Sequence, residues 1–295
     1  MGAGSTVSIA RATAIEILSE PLTLLVALAS LALAVFAPTF HYHQFGEVTR
    51  MARDSGLSAA FTGGLVLSVF GTIRSFRREI ESGTLEMALS RPVTRGGFFV
   101  AKTIGAALAY AVFAATLLGT TLVVVEGAAV GGEISARTGD IARVWGPCVA
   151  VGVAIILLPL AAGAALNRFF RFRFVLTSMS IAVSLSAVSG AVALFRDPGV
   201  LLPYLAVFAP LAALALVFIV FSAACAVRFS PNAAAACAGL LFAATLPFVG
   251  NYYLSDALSR GGSPDFVSTA GAVAAAIPAI AAFTILGVRW TAERT

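Results

Sequence analysis

The sequence predicts an all-α, polytopic membrane helix bundle of about eight transmembrane helices, and three observations carry that expectation. The first is composition. Of the 295 residues, 59% are apolar and 11% are charged, against about 45–50% and about 25% in soluble domains. With a mean hydropathy of +0.97, the chain lacks the polar surface to cover a core in water, and it is too apolar for intrinsic disorder. The second is a set of eight apolar stretches: Leu22–Phe40, Leu57–Ile73, Thr103–Val125, Trp145–Leu166, Phe174–Phe195, Val200–Val227, Ala233–Gly250 and Phe266–Val288. None contains Asp, Glu, Lys, Arg or His, and they run from 17 to 28 residues, where a spanning helix needs about 20. The third is charge placement. With the N-terminus in the cytoplasm and eight alternating crossings, 13 of the 19 Lys and Arg residues fall inside and 6 outside, the asymmetry that orients membrane helices. Both termini are then cytoplasmic. Six crossings, with one adjacent pair forming a hairpin that does not cross, is the alternative.

Taken in order, residues 1–21 read as a cytoplasmic interfacial helix. Val7, Ala10, Ala14, Ile17 and Leu18 recur at helical spacing opposite Thr13, Glu16 and Glu20, and Pro21 stops the pattern. Residues 1–10 carry no charge, unlike the start of a cleavable signal. Residues 22–288 form the membrane domain, with abundant Ala, Gly and Ser that permit close helix approach. Pro203 and Pro210 allow the long sixth stretch to bend. Loops are expected at 41–56, 126–144 and 251–265 outside, with short basic turns at Asn167-Arg168-Phe169 and Val227-Arg228-Phe229-Ser230 inside. Residues 289–295 form a cytoplasmic tail.

The segment 74–102 carries the most information. Ile73, Phe76 and Ile80 continue the second helix beyond the membrane with one apolar stripe. Gly83 can break that helix, Ser82 or Thr84 can cap a new one, and Glu86 sits near its positive end. Pro92 biases Arg91 out of helix, so the new helix ends near Ser90, and Thr94 can lead into the next span. Leu85, Ala88 and Leu89 give it one apolar face. A helix this short is unstable alone. Its face can rest on lipid headgroups or the bundle, or it can dock into a groove on a cytoplasmic partner; the residues alone leave both open.

Other chemistry is poorly supported. The net charge of +5 comes from arginines spread over short loops, without the basic stripe or aromatic platform of nucleic-acid binding. Cys148, Cys225 and Cys237 lie inside apolar stretches and read as small buried hydrophobes. His41-Tyr42-His43 makes a poor metal set, with Met51 the one soft donor nearby. Gly96 to Thr103 resembles a P-loop only in part: Ala101 stands where the second glycine belongs, and no strand precedes it. Lys102, the only lysine in the chain, is therefore not expected to hold nucleotide. Ion-coupled transporters and intramembrane proteases need ionisable groups at membrane depth, which the eight stretches lack.

The run Arg78-Glu79-Ile80-Glu81-Ser82-Gly83-Thr84-Leu85-Glu86, followed by Leu89-Ser90-Arg91-Pro92-Val93-Thr94-Arg95, Phe98 and Lys102-Thr103-Ile104-Gly105, resembles the coupling-helix region of ABC-2 type permeases. It is similar in particular to the branch related to multicopper-enzyme (nitrous oxide reductase) maturation permeases, as are Phe45-Gly46-Glu47, Met51 and Gly56-Leu57-Ser58. The resemblance implies a permease subunit in a bacterial inner membrane, paired with a second permease copy or paralogue and surrounded by lipid. It implies no cofactor on this chain, and ATP–Mg bound and hydrolysed by a separate ABC ATPase subunit. The implied docking element comprises Gly83, Thr84, Leu85, Glu86, Leu89, Ser90, Arg91 and Pro92. Leu85 and Leu89 would fill the partner's groove, and Glu79, Glu81, Glu86, Arg91 and Arg95 would form rim ion pairs. A channel or non-transporting scaffold subunit is the alternative. The small, apolar span residues hint at a lipid-like, hydrophobic or peptide cargo.

Overall fold

The computed structural model describes residues 3–40, 48–82, 94–138, 141–196, 201–252 and 266–293. Their regular structure is helical, without a strand among the described residues. In chain order the helices are α1 (Ala3–Leu18), α2 (Pro21–Phe40), α3 (Val48–Val66), a π-helical turn (Leu67–Gly71), α4 (Thr72–Glu81), α5 (Arg95–Thr138), α6 (Ile141–Phe170), α7 (Phe174–Arg196), α8 (Leu201–Arg228), α9 (Pro231–Tyr252) and α10 (Phe266–Glu293).

Among the described residues, six helical segments are long and apolar enough to cross a membrane: Ala52–Glu81, Arg95–Ala128, Ala150–Phe170, Phe174–Arg196, Val207–Arg228 and Val273–Glu293. The first apolar stretch lies in α2, which passes the same test only together with α1 as a bent pair, a broken span or a re-entrant loop, giving up to seven. Pro21 explains the break, since proline opens a helix well and continues one badly. The seventh stretch lies in the 22-residue α9, Pro231–Tyr252. Six, or up to seven, candidate crossings among the described residues agree with the polytopic bundle expected, and the lower number with its six-crossing alternative. Two expected loops are shorter than predicted. Residues 48–56 begin α3, and α5 runs unbroken to Thr138.

The chain divides into two compact units. One comprises Met1–Ile17, Leu65–Ala109 and Val200–Thr295. Its core gathers Val69, Ile73, Phe76 and Phe99 with Phe218 and Ala223–Val227 of α8 and Ala234 and Ala238 of α9. Aromatic pairs Phe76–Phe99, with ring centroids 5.5 Å apart, and Phe221–Phe283, 4.9 Å apart, fix α4 to α5 and α8 to α10. α1 belongs to this unit. Ala10 and Ile17 of the expected stripe are buried, and Thr13 is buried with them, whereas Val7 is 66% exposed. The cause is Gly105 of α5, where an added Cβ would stand 2.5 Å from the Ala10 carbonyl oxygen. Backbone approaches backbone there, and Thr13 is small enough to follow. Large apolar residues on the other faces are exposed, Ile277 and Ile285 of α10 among them, as expected for helices that meet lipid or another chain.

The other unit comprises Leu18–Gly64 and Tyr110–Gly199. Here α6 packs on α7 and on α2. α5 and α7 cross at two glycines: a Cβ on Gly190 would lie 2.8 Å from the Cα of Gly119. Beside the crossing, the Thr120 and Ser186 hydroxyls are 3.1 Å apart. Thr116, Thr120 and Thr121 also donate to carbonyls four residues back, satisfying hydroxyls within the helix itself where lipid offers no partner. Arg196 at the end of α7 reaches Glu126 of α5 at 2.8 Å. The basic turn after α6 is closed by Asn167, whose Nδ2 donates to the Phe172 carbonyl, and by Arg171 in the left-handed region at φ 56°.

Candidate functional site

The apolar stripe predicted beyond the second apolar stretch is present. α4 runs to Glu81 with Ile73 and Phe76 buried, and the Ser82 amide closes it by donating to the Arg78 carbonyl at 3.0 Å. The chain resumes at Thr94, whose hydroxyl accepts the Gly97 amide at 3.2 Å and caps α5. Gly83, Thr84, Leu85, Glu86, Leu89, Ser90, Arg91 and Pro92, which form the expected docking element, lie outside the described residues, as do His41, Tyr42 and His43.

What the structure describes is the platform on either side of that element. Three helices meet there. On the α1 side, the Glu16 carboxylate accepts from the Ser75 hydroxyl at 3.1 Å and from Arg78 Nη1 at 3.3 Å. On the α5 side, Lys102 Nζ lies 2.8 Å from Glu79 Oε2 and donates to the Ser75 carbonyl oxygen at 2.7 Å. The ammonium also stands 5.3 Å from the Phe76 ring centroid and 5.8 Å from that of Phe98, within the range of cation–π attraction. Lys102 is wholly buried, while the Glu79 side chain keeps 30% of its surface. A cation taken out of water at this cost persists only when paired and hydrogen-bonded, and both conditions are met. Gly105, one turn on, lets α1 close over α5.

The same end of this unit holds the ends of α8 and α10. Arg95 Nη1 donates to the Ala292 carbonyl at 3.3 Å, Gly96 abuts Val288, and Phe229 packs edge-on to Trp290 at 5.9 Å.

Three of the expected rim charges can thus be located. Glu79 faces Lys102, Glu81 accepts from Arg77 at 2.8 Å on its own helix, and Arg95 bonds the end of α10. Lys102, at the edge of the third apolar stretch, is a buried residue of α5, because helix begins at Arg95. Neither it nor Glu16 was singled out from the sequence as a site residue. The one available signal was that an arginine-rich chain holds a single lysine. Cys225 is buried and Cys237 partly so, both free. Among the described residues, no group of three or more His, Cys, Asp or Glu is placed to hold a metal ion.

Residues 17–189 match the model of a family described as ABC-2 family transporter protein. No curated protein and no solved structure matches the chain.

Proposed function

The chain belongs to the ABC-2 family of transporter proteins, an integral multi-pass membrane family, and from that premise we propose that it is the permease subunit of an ABC transporter whose ATPase is a separate chain docked on residues 83–92. The family match carries the reading. The platform supports it, because α4 and α5 are rooted on either side of the segment by buried contacts, as a force-bearing element requires. Leu85 and Leu89 supply the apolar anchors and the charges around them the rim. Rim pairs contribute about 0–1 kcal/mol each, so the leucines dominate affinity. The functional unit is a permease dimer in a bacterial inner membrane with both termini cytoplasmic. ATP-driven closure of the ATPase pair is delivered to the bundle as a rigid-body movement. The likeness of residues 45–105 to the multicopper-enzyme maturation branch is part of this proposal.

The test is purification of the tagged protein from its native membranes in mild detergent. A stoichiometric soluble subunit bearing a P-loop is expected. Leu85→Asp/Leu89→Asp should lose that subunit while eluting as a folded, monodisperse membrane protein. Stoichiometric retention by the double variant would exclude this interface. A monodisperse wild type that retains no such subunit would favour the channel or scaffold alternative.

A further inference from the structure

Lys102 raises a question that docking alone does not answer. A chain with 11% charged residues keeps its only lysine fully buried, where an apolar residue of similar volume would avoid the desolvation cost. Buried ion pairs are weak evidence for stability, and their best-attested use is to fix register. The partners of Lys102 show which register is fixed. Glu79 and the Ser75 carbonyl belong to α4, as does the Phe76 ring. Ser75 and Arg78 are in turn held by Glu16 of α1. Ser75 thus engages both neighbours, giving its carbonyl to Lys102 and its hydroxyl to Glu16.

The position along the chain matters equally. Glu79 lies about one helical turn before residue 83, and Lys102 about two and a half turns after residue 93. The helices on either side of the segment in the chain are therefore clamped to each other by this pair. Apolar contacts alone are non-directional and permit sliding. A one-turn slip of α4 along α5 would strip Lys102 of both its carboxylate and its carbonyl inside a buried site.

Resting on the permease reading above, we propose that Lys102 is a positioning residue: its bonds to Glu79 and Ser75, continued through Glu16, make α1, α4 and the start of α5 move as one body when the segment 83–93 is displaced by the ATPase. The role is transmission. Docking depends on residues 83–92, and transport-linked movement of the helices depends on Lys102.

Hydrogen exchange by mass spectrometry on the permease–ATPase complex in lipid nanodiscs, with and without ATP–Mg, tests this. In wild type, nucleotide should change exchange in 83–93, in α1 and in residues 95–109 of α5. Lys102→Met/Glu79→Met removes the pair without leaving either charge unpartnered, so the variant should fold and retain the ATPase at the wild-type ratio. It should keep the change in 83–93 and lose the changes in α1 and α5. Glu79→Gln, which leaves Lys102 an acceptor but removes the counter-charge bonded to it, is the milder second variant and should weaken the same distant changes. A purely structural role predicts the reverse, with propagation intact in any folded variant. Wild-type changes in α1 and α5 in both variants would overturn the proposal and leave the docking reading standing. A wild-type preparation without a bound ATPase would overturn both.

Discussion

α5 is held in two ways along its length. Between Phe98 and Gly105 it is fixed to α4 by a buried ammonium with a carboxylate, a carbonyl and two aromatic rings around it. Between Thr116 and Glu126 it meets α7 through paired glycines and a hydroxyl pair, with one exposed ion pair at the end. The second mode is what a lipid environment favours: close backbone approach and polar groups already satisfied by their own helix. The first is expensive in the same environment, and it occurs beside residues 83–93, the segment proposed to dock the ATPase. Small-residue packing fixes how near two helices come. A directional buried charge also fixes their register, which is the property needed where force enters.

The largest expected effect separates these modes by asymmetry. Glu79→Met takes from the wholly buried Lys102 the carboxylate it is bonded to, leaving Glu16 as a further negative charge near it, and should cost about 4 kcal/mol, within the range for breaking a buried pair. Lys102→Met leaves a partly exposed carboxylate that water can reach and should cost about 3 kcal/mol. The double variant should return to within about 1 kcal/mol of wild type, since apolar replacement of a whole buried pair is often neutral. Denaturant titration in mild detergent measures all three. Losses in the double variant equal to the sum of the singles would mean that the two residues are not coupled.

The glycine crossing should respond to size instead of charge. Gly190→Val places branched carbons against the Gly119 backbone, which has no rotamer to yield, and should cost about 1–3 kcal/mol. Gly239→Val is the control. No atom lies within 4 Å of its added Cβ, so its stability should stay within about 0.5 kcal/mol of wild type. Equal losses at the two positions would show that helix propensity, and not close approach, is being measured.

Much of this organisation was readable from residue patterns, and the failures have physical causes. The membrane class, the extension of the stripe through Phe76 and the Thr94 start of α5 follow from hydropathy, helical period and capping, which are local. On α1, Ala10 and Ile17 of the stripe are buried as the period suggests, but Thr13 joins them and Val7 does not, because the crossing at Gly105 rewards small residues. Lys102 gave no such signal, because a charge at the edge of an apolar stretch does not show whether it is buried. Its burial depends on Glu79 and Ser75, more than twenty residues earlier, and no local pattern encodes that partnership. The glycine pair was equally hidden, since Gly119 and Gly190 are two among 27 glycines.

The exposed ion pair at the other end of α5 gives the smallest expected effect and the sharpest check on the contrast. Arg196 and Glu126 are as close as Lys102 and Glu79, both at 2.8 Å. Distance alone would rank the pairs equal. The Arg196 side chain is 70% exposed, however, so solvent screens the attraction and holding a long side chain in place offsets part of it. Arg196→Ala should therefore change stability by about 0–1 kcal/mol. That difference should shrink further as salt rises to physiological strength, where the screening length is about 8 Å. The Lys102 variants should show no comparable salt dependence, because counter-ions cannot approach a buried ammonium. A salt-insensitive loss at Arg196 rivalling that at Lys102 would mean that burial is not what distinguishes the two pairs.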